Sequence, residues 1–524
     1  MDTTVVIAGA GPTGLTLAIE LARRDVAVRL VDRADEYFAG SRGDGLQPRT
    51  LEVFEDLGVL DAVLAAGAPP FPMKVYLSGV FVQERMMGEL VEPTPDVPYP
   101  NAWFLGQSQT EGILRARLAE FGVRVELSTA VTGFAQDDDG VAVSLSTGET
   151  IRAGYLVGAD GGKSFVRKTL GISFEGTTDE SIRMLLGDVQ ADGLAHDSGY
   201  WFASADNSMT GVMFTPLAGT PHFQFGSPIG DEDAAASLPA LQARLDAVSG
   251  GGIRLHDLAW STVWRPNIRL AAAFRAGRVF LAGDAAHVHP PTGGQGLNTG
   301  VQDAYNLGWK LASGSSELLD SYEPERRAVA ARVLGVSTAL LEKYTDGDED
   351  AHHRGAETKQ LDIGYRGGPL APPSDGPLRA GDRAPDAPLI DGNGKTVRLF
   401  DLFRGPHATE LVFGSGVASG EFPAYRVLPA GSVLSGSVPS GGSSSSGLSV
   451  SSVGSSSVGS LVGSGSSGSA SVSGPAVAAV RSGLPVSSCH DLVDAGGHAY
   501  SAYAAAPGRR VVIRPDGYVW SVTD

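Results

Sequence analysis

The sequence predicts an α/β fold with a Rossmann-like parallel sheet at its centre, and three patterns of glycine and aspartate predict it. The first runs from Gly9 to Gly14, the second from Gly158 to Gly161, and the third from Gly283 to Gly296. Each follows a short apolar run typical of a buried strand and leads into a stretch typical of a helix. Because the carboxyl ends of parallel strands meet at one edge of a sheet, the three patterns are expected to converge on one ligand.

The first pattern meets the conditions of a dinucleotide-binding turn. A β-branched run at 4–8 precedes it, and a good helix-forming run at 15–22 follows it. Gly9 permits the tight turn, Gly11 lets the backbone approach a pyrophosphate, and Gly14 lets the helix pack closely on the strand. The helix N-terminus then offers free N–H groups and a partial positive charge to the phosphates.

The second predicted strand, at 26–31, ends at Asp32. An acid about 20 residues beyond the glycines is typical of the acceptor for ribose hydroxyls. It fits an adenosine without a 2′-phosphate, which favours FAD or NAD and disfavours NADP at this site. An ordinary loop is the alternative.

Composition limits the classes of function. The chain has 524 residues, which predicts two or three domains. A formal charge of −19 argues against a nucleic-acid partner, because phosphate neutralisation needs clustered Lys and Arg. Cys489 is the only cysteine, so no intrachain disulfide or cysteine-cluster metal site is expected, and no metal is predicted. A single cysteine suits a reducing cytoplasm, which is the expected location. The sequence lacks a basic leader and a run of roughly 18 apolar residues, so we expect no membrane partner.

A polar loop and a helix follow the second strand. The loop carries Arg42, Gln47 and Arg49 close together, beside the predicted nucleotide, and helical apolar spacing begins at Thr50. Arg42 is expected to meet phosphate or flavin oxygens. A solvated loop arginine is the alternative.

The region before the second pattern alternates helix and strands. Gln107 to Glu111 open a helix at 112–121, with Thr110 as its predicted N-cap. Two strands are predicted at 123–128 and 141–146, joined through an acidic turn at 137–140. A buried strand from Tyr155 then ends at Asp160 before Gly161, and a helix begins near Ser164 and Arg167.

Residues 176–270 have a different character. Helical spacing nearly vanishes, and short alternating runs appear between Gly and Pro, which is typical of an antiparallel sheet. Aromatic residues and methionines are frequent in these runs. For a single residue, ordinary sheet core is at least as good an interpretation, but the sheet as a whole is typical of a substrate-pocket wall.

The third pattern is the most specific. A strand at 278–282 ends at Gly283 and Asp284, and glycines at 293, 294 and 296 remove side chains just before a helix at 297–312. Such a loop presents backbone N–H groups to anionic oxygens, and a reduced flavin carries its charge at N1 and O2. Asp284 would accept hydrogen bonds from ribityl hydroxyls. His287 and His289 are interpreted as structural in preference to catalytic. Together the three patterns predict one FAD.

These residues carry a resemblance to a known family. The run 283–311, the run 319–327 and the Asp160-Gly161 pair resemble the single-component FAD-dependent aromatic hydroxylases, which are class A flavoprotein monooxygenases. Within that group, residues 41–58 and the C-terminal part resemble bacterial hydroxylases of aromatic polyketides of anthracycline, angucycline or tetracycline type. The resemblance covers roughly residues 1–410 and 490–520.

The resemblance implies a reaction and a site. NADPH or NADH, bound only transiently, would reduce a non-covalent FAD, and O2 would add at the flavin C4a to give a hydroperoxide that hydroxylates a polycyclic aromatic substrate. No assured general base is found. The residues implied to position the flavin are Arg42, Pro290, Pro291 and Gly294. Those implied to bind the cofactor are Gly9, Gly11, Pro12, Thr13, Gly14, Asp32, Arg33, Arg42, Gln107, Asp160, Gly161, Gly283, Asp284, Pro291, Gly293, Gly294, Gln295, Gly296, Leu297 and Asn298.

The resemblance also implies three units, in a para-hydroxybenzoate hydroxylase-like arrangement. The FAD-binding domain is expected at 1–70, 101–175 and 271–365, and the inserted substrate-binding sheet at 71–100 and 176–270. Residues 376–524 resemble a thioredoxin-like domain, with a flexible Ser/Gly-rich insert at about 427–480 that contains no charged residue. We expect the catalytic half not to depend on this last unit, and the protein to be a monomer or a homodimer.

Two other functions stay open. One is a Baeyer–Villiger-type or antibiotic-inactivating oxygenation on the same fold. The other is a non-catalytic partner protein that carries FAD.

Overall fold

The computed structural model describes residues 2–179, 182–230, 236–290, 293–345, 354–434 and 489–524. An eight-stranded sheet lies at the centre of the first unit, and its strands at the core of the sheet run parallel. Numbered along the chain, its strands are β1 (Thr3–Ala8), β2 (Val28–Val31), β7 (Val125–Glu126), β8 (Val131–Gln136), β9 (Val141–Leu145), β10 (Thr150–Gly158), β18 (Arg275–Ala276) and β19 (Val279–Leu281).

The register of this sheet aligns the three sequence patterns. In the order β19-β10-β1-β2, Ala8 pairs with Gly158, and Gly158 pairs with Leu281. The residues that follow these three strands therefore leave the sheet at one edge, which is the edge where open α/β sheets bind ligands.

Helices cover both the sheet and its ligand edge. They are α1 (Pro12–Ala22), α2 (Pro48–Leu57), α3 (Leu60–Ala66), α4 (Gln107–Glu120), α5 (Phe165–Thr169), α7 (Gly296–Ser313), α8 (Ser316–Asp320) and α9 (Tyr322–Thr345). Helix α1 packs between α7 and α4 over a fully buried core that includes Leu15, Ile19 and Val301. Helix α2 shows why such a segment starts and stops: Pro48 occupies its first turn, and Gly58, with φ +74°, ends it in a left-handed cap.

A second sheet of seven strands forms the inserted unit, and it is antiparallel except for one parallel pair between the strands at 73–77 and 199–204. Its strands are β4 (Met73–Leu77), β5 (Val80–Arg85), β12 (Arg183–Asp192), β13 (Gly199–Ser204), β14 (Asn207–Pro216), β15 (Phe223–Ile229) and β16 (Arg254–Trp264). Helix α6 (Leu238–Ser249) covers one face, where Leu241 and Leu245 join the buried side chains of Leu185 and Val189.

Two small sheets join these units. One contains β11 (Phe174–Thr178), β17 (Asn267–Ala271) and β20 (His287–Val288), and the other contains β3 (Gly45–Leu46) and β6 (Trp103–Phe104). All of these strands except β20, which follows the central strand β19, lie in chain segments that pass between the central sheet and the inserted sheet.

The C-terminal unit has its own mixed sheet, in the order β22-β21-β25-β24-β23-β26-β27. Its elements are β21 (Pro388–Ile390), β22 (Thr396–Arg398), α10 (Leu399–Phe403), β23 (Thr409–Phe413), β24 (Ala424–Pro429), β25 (His490–Asp494), α11 (His498–Ala502), β26 (Arg510–Ile513) and β27 (Val519–Thr523). Leu389, Leu411 and Val427 are fully buried between its layers. Its relation to thioredoxin-like domains stays a prediction.

Four local predictions need correction. The predicted insert begins too early, because Val427 to Pro429 belong to β24 and pair with β25; its residues from 435 onward lie outside the described ranges. Thr110 is not an N-cap: α4 already begins at Gln107, and the Thr110 hydroxyl is buried inside it. The turn at 137–140 joins β9 to an unpredicted strand, β8, whose Thr and Gly residues blur its alternation. Helix α6 was also unpredicted, although Leu241, Leu245 and Val248 have helical spacing.

No helix within the described ranges combines the length and the apolar character that crossing a membrane requires.

Candidate functional site

The three glycine patterns touch one another at the ligand edge of the central sheet. A Cβ placed on Gly9 would lie 2.3 Å from the carbonyl oxygen of Ala159, so the first pattern contacts the second. A Cβ placed on Gly283 would lie 2.5 Å from the Thr13 hydroxyl, so the third pattern contacts the first. The predicted convergence of the three segments is present.

In the first turn, glycine stands at each of the three positions for a different physical reason. Gly9 has φ +104°, a conformation that favours glycine. A Cβ on Gly14 would lie 1.9 Å from the Gly9 carbonyl oxygen, so only glycine lets the helix start so close to the turn. A Cβ on Gly11 would meet no protein atom within 4 Å, so Gly11 borders open space directly before α1.

The N-terminus of α1 faces this open space. Pro12 begins the helix, and Gly11 at the cap position supplies no side-chain acceptor for the first N–H groups. The side chain of Thr13 is wedged between Gly283 and Gly300, so Thr13 offers only its backbone outward. The first N–H groups of a helix have no intrahelical partner and carry a partial positive charge, so an anion is favoured here.

Asp32 organises the same turn. Its two carboxylate oxygens accept hydrogen bonds from the backbone N–H of Ala10 at 2.7 Å and of Ala34 at 2.9 Å. Each oxygen retains a further lone pair for a hydroxyl donor. The next residue, Arg33, is exposed.

Asp160 in the second pattern has one oxygen in use and one without a partner. Its Oδ2 accepts from the backbone N–H of Phe165 at 2.7 Å and of Val166 at 3.1 Å, whereas its buried Oδ1 accepts no hydrogen bond. Gly161 beside it has φ +79° and open space around the position of a Cβ. Buried acceptors are normally satisfied, so Oδ1 indicates a donor from a ligand or water.

Asp284 is accessible to solvent, although many protein atoms surround its carboxyl group. Both observations hold because its carboxylate faces an open cleft. Burial by this surrounding protein raises the pKa of Asp284, and the neighbouring His287 and Arg42 oppose the rise.

The loop before α7 holds itself together with its own side chains. The Asn298 amide donates to the carbonyls of Gly45 and Gly294 and accepts from the backbone N–H of Gln47. The Gln295 amide donates to the carbonyls of Gly293 and Thr358. Both side chains therefore hold the loop together, and the backbone N–H groups at 295–298 stay available to a ligand.

The rest of this loop has three distinct placements. Gly294 is exposed with φ +61°, whereas Pro290 and Gly293 are buried. Gly296 and Leu297, in the first turn of α7, are half-buried. Pro291 lies outside the described residues.

Arg42 reaches toward both ends of the cleft. Its guanidinium lies 4.9 Å from the centre of the Phe38 ring, and the side chain is exposed. Its charge acts on Asp284 and also on buried Glu111, whose pKa is raised chiefly by burial. The Gln107 side-chain amide donates to Glu111 at 2.8 Å, and the Gln107 backbone N–H donates to the carbonyl of Gly43 in the Arg42 loop at 3.0 Å.

The two histidines have structural surroundings. His287 lies 2.6 Å from the Asp303 carboxylate, which also binds Arg326 at 2.7 Å and the backbone N–H of Gly283 at 3.0 Å. Burial lowers the pKa of His289 to about 4, so its ring is neutral at physiological pH. The interpretation of this pair as structural agrees with these contacts.

The inserted sheet turns a face of methionine and tryptophan toward the cleft. Register aligns Met184 with Trp264, Leu186 with Gly226, and Met213 with Trp201 across the strands. A Cβ on Gly226 would touch Leu186 at 3.6 Å and Met213 at 3.7 Å, which puts these residues on one face. Asp188 on the same face reaches the loop that carries Arg42, so this face borders the cleft.

Sequence reasoning missed two acids and misplaced one arginine. Asp44 and Asp188 each have a buried oxygen without a partner beside the Arg42 loop. Asp188 interrupts the apolar run 184–189, and that interruption was the available signal. Arg49 was expected beside the nucleotide, but it is buried against the C-terminal unit, where it donates to the Asp516 carbonyl at 2.8 Å.

Comparisons with known proteins agree with this geometry. A profile of the FAD binding domain family matches residues 2–337. The chain is 48% identical over 438 residues to a flavin-dependent monooxygenase of Mycobacteroides abscessus, covering 79% of this chain and 89% of that protein. It is 34% identical over 454 residues to the 12-dehydrotetracycline 5-monooxygenase/anhydrotetracycline 6-monooxygenase of Streptomyces rimosus, covering 78% and 85%.

Among solved structures, the chain is similar to aklavinone-11 hydroxylase in a complex with FAD and aklavinone. The TM-score is 0.74 at 25% identity, with 100% of this chain and 96% of that chain covered. The family match, the partnerless Asp160 oxygen and the open space beside Gly11 all fit FAD as the cofactor.

Proposed function

We propose that this chain, which belongs to the single-component FAD-dependent aromatic hydroxylases, uses NAD(P)H and O2 to hydroxylate a polycyclic aromatic polyketide. Its monooxygenase chemistry follows from the family. The substrate class, the nicotinamide donor and the position of attack are the proposal.

The sheet face beside the cleft carries the proposal. Met184, Leu186 and Met213 are half-buried on it, next to Trp201 and Trp264. Aromatic rings and flexible thioether side chains suit a large, flat apolar substrate, since methionine adapts its shape and aromatic faces stack. The relatives that act on a tetracycline precursor and on aklavinone support the same class.

Different residues of the cleft would bind different parts of FAD. The N–H groups at the start of α1 and the open side of Gly11 would receive the pyrophosphate, with Arg42 beside it, and Asp32 would receive the adenosine ribose. Asp160 and Asp284 would accept hydrogen bonds from hydroxyl groups of the ribityl chain. The N–H groups at 295–298 would face the flavin ring near the oxygens that become negative on reduction.

FAD, when bound, supplies the chemistry: it takes a hydride from the nicotinamide and delivers one oxygen atom of O2 to the substrate. The protein orients the two partners and keeps water away from the reacting edge. The substrate face supplies the apolar wall, and the helix dipole of α7 compensates negative charge on the ring.

The decisive experiment is NADPH consumption by the FAD-loaded protein across a panel of anthraquinones and related polyphenols. A hydroxylase consumes NADPH faster when its substrate is present, and product mass rises by one oxygen with the rings intact. A product with an opened or expanded ring would instead support Baeyer–Villiger chemistry. No substrate response with any compound in the panel would support a non-catalytic FAD-bound partner.

Gly226→Val should raise KM for the polycyclic substrate by about tenfold to a hundredfold, the effect of one or two methyl groups that crowd an apolar pocket. The added Cβ makes only ordinary contacts with the side chains of Leu186 and Met213, so any crowding comes from the two further methyl groups of valine. Steady-state kinetics with NADPH and substrate measure it. Gly133→Val in β8 is the control, because its Cβ meets only Ser144 at 4.0 Å. An unchanged KM in Gly226→Val would remove this face from the substrate site.

Asp284→Ala should weaken FAD binding by about 1.5–3 kcal/mol, because a charge-assisted hydrogen bond to the ribityl chain is lost. Fluorescence titration of the apoprotein with FAD measures this loss as a rise in Kd. Asp320→Ala is the matched control, since its exposed carboxylate only pairs with Arg275. If Asp284→Ala kept full yellow colour and the wild-type Kd, Asp284 would not hold the cofactor.

A further inference from the structure

The loop that carries Arg42 is fastened to the substrate sheet at one point. The Ser41 backbone N–H donates to Asp188 Oδ2 at 2.6 Å, and the Ser41 carbonyl accepts from the Gln224 amide. A Cβ on Gly40 would lie 2.7 Å from the Trp260 ring, so the loop backbone rests directly on that ring. Phe38 also contacts Trp260 edge-on, with ring centres 5.7 Å apart.

The three sheet residues at this point form a row across three strands. Asp188 pairs in register with Gln224 on one side and with Trp260 on the other. The row therefore lies on the cleft-facing side of the sheet, next to the Met184 and Leu186 rows. Because residues 40 and 41 contact this row directly, a displacement of the row would also displace them.

Asp188 is an unusual residue to bury at this place. It is only 3% exposed, and its second oxygen, Oδ1, has no hydrogen-bond partner. Burial raises the pKa of Asp188 to about 7, and the negative charge of Asp44 adds to the rise while the Ser41 N–H opposes it. Burial also raises the pKa of Asp44 to about 6.

The charges around Asp188 leave it easy to protonate. Asp44, from the loop, is the ionisable group that acts on it; Gln224 and Trp260, from the flanking strands, carry no charge. The positive charge of Arg42 acts instead on Asp284 and Glu111, where it opposes the rise in the pKa of each carboxyl. The carboxylate is thus stabilised chiefly by one backbone N–H.

We propose that Asp188 is a positioning residue: its carboxylate holds the Arg42 loop on the substrate sheet through the Ser41 N–H, and protonation of Asp188 loosens that hold. The role of Arg42 at the flavin rests on the proposed function, whereas the hold itself does not. The sign follows from the bond: an ionised acceptor binds an N–H more strongly than a neutral one, so the loop is tighter above neutral pH and looser below it.

Hydrogen–deuterium exchange of the FAD-loaded protein tests this without an activity assay. The readout is the protection factor of a peptide spanning residues 38–46, corrected for the intrinsic pH dependence of exchange. We expect wild-type protection to fall by about tenfold between pH 8 and pH 6, the loss of one charge-assisted bond.

Three variants give the test its controls. Asp188→Asn keeps the shape and an acceptor but cannot titrate, so its protection should lack the transition near pH 7. Asp44→Asn removes the neighbouring negative charge and should move the wild-type transition to lower pH. Asp192→Asn lies on the same strand, where its exposed carboxylate meets His256 at 3.2 Å, and should behave like wild type.

Wild-type protection that stays constant between pH 8 and pH 6 would overturn the proposal. So would an Asp188→Asn protein that keeps the wild-type pH transition. If Asp188→Asn does not fold, the Asp44→Asn protein tests the proposal: a transition that moves to lower pH supports it, and one that does not move contradicts it. The two claims can fail separately. Hydroxylase activity without the exchange transition would overturn only this inference, and the transition without hydroxylase activity would overturn only the proposed function.

Discussion

Glu325→Ala is expected to lower the free energy of unfolding by about 3–5 kcal/mol, because it removes the ion-pair partner of buried Lys310 and one of the two carboxylates that pair with buried Arg514. Glu325, Lys310 and Arg514 all have fully buried side chains. Glu325 Oε2 lies 2.7 Å from the Lys310 amine, and Arg514 donates to Glu325 at 2.8 and 3.0 Å. No water can replace the lost carboxylate at this depth without cost.

Urea or thermal unfolding monitored by tryptophan fluorescence measures this loss. Asp362→Ala is the matched control, because its pair with Arg332 is about half exposed on both sides and should contribute under about 1 kcal/mol. A Glu325→Ala protein within 1 kcal/mol of the control would mean that the buried network does not stabilise the fold.

The same pair sets a direction for acid stability. Burial tends to raise the pKa of Glu325, but the charges of Arg514 and Lys310 outweigh it and hold the pKa well below its usual range. A carboxyl with a depressed folded-state pKa stabilises the protein above its unfolded pKa, and the stabilisation disappears as pH falls through the folded value. Glu325→Ala should therefore differ most from wild type near neutral pH and least in strong acid.

Gly11→Ala should weaken FAD binding and leave folding nearly unchanged, whereas Gly14→Ala should destabilise the fold. Gly11→Ala adds a methyl group where no protein atom lies within 4 Å, so stability of the apoprotein should change by under about 0.5 kcal/mol. The methyl group occupies the proposed pyrophosphate position, so FAD affinity should fall by about tenfold to a hundredfold, the effect of one lost phosphate contact.

Gly14→Ala should act on the fold instead. Its Cβ would lie 1.9 Å from the Gly9 carbonyl oxygen, so α1 must move away from the turn, at a cost of about 1–3 kcal/mol or more. Apoprotein unfolding and FAD titration, measured on both variants, distinguish the two effects. An equal loss of stability in both would contradict the open space beside Gly11.

Local glycine geometry is what made the ligand edge predictable. Gly14 packs against Gly9 within the same turn, and Gly9 adopts a positive φ, so the spacing of these glycines predicts the turn before any distant contact is known. The alignment of Ala8, Gly158 and Leu281 follows from parallel pairing, which the apolar runs indicate. The chemistry of the cleft could therefore be inferred before any contact was known.

Contacts between distant segments were not predictable in the same way. Nothing next to Arg49 in the sequence indicates that it turns toward Asp516, 467 positions away. An acid in a strand, such as Asp188, looks solvent-facing until the loop that covers it is placed. The side chains of Gln295 and Asn298 likewise tie the loop before α7 together, and for Asn298 the partner at Gly45 is too distant in the sequence to be inferred from it.

The buried ion pair of Glu325 and Arg514 also affects how the chain is made. Its two partners are separated by 189 positions, so a growing polypeptide on the ribosome exposes Lys310 and Glu325 long before Arg514 is synthesised. Domains generally fold as they emerge, but helices α7 and α9 cannot reach their native charge balance during that interval. The nucleotide-binding half should accordingly complete its folding only after translation has passed Arg514, which differs from the sequence-based expectation that the catalytic half does not depend on the C-terminal unit.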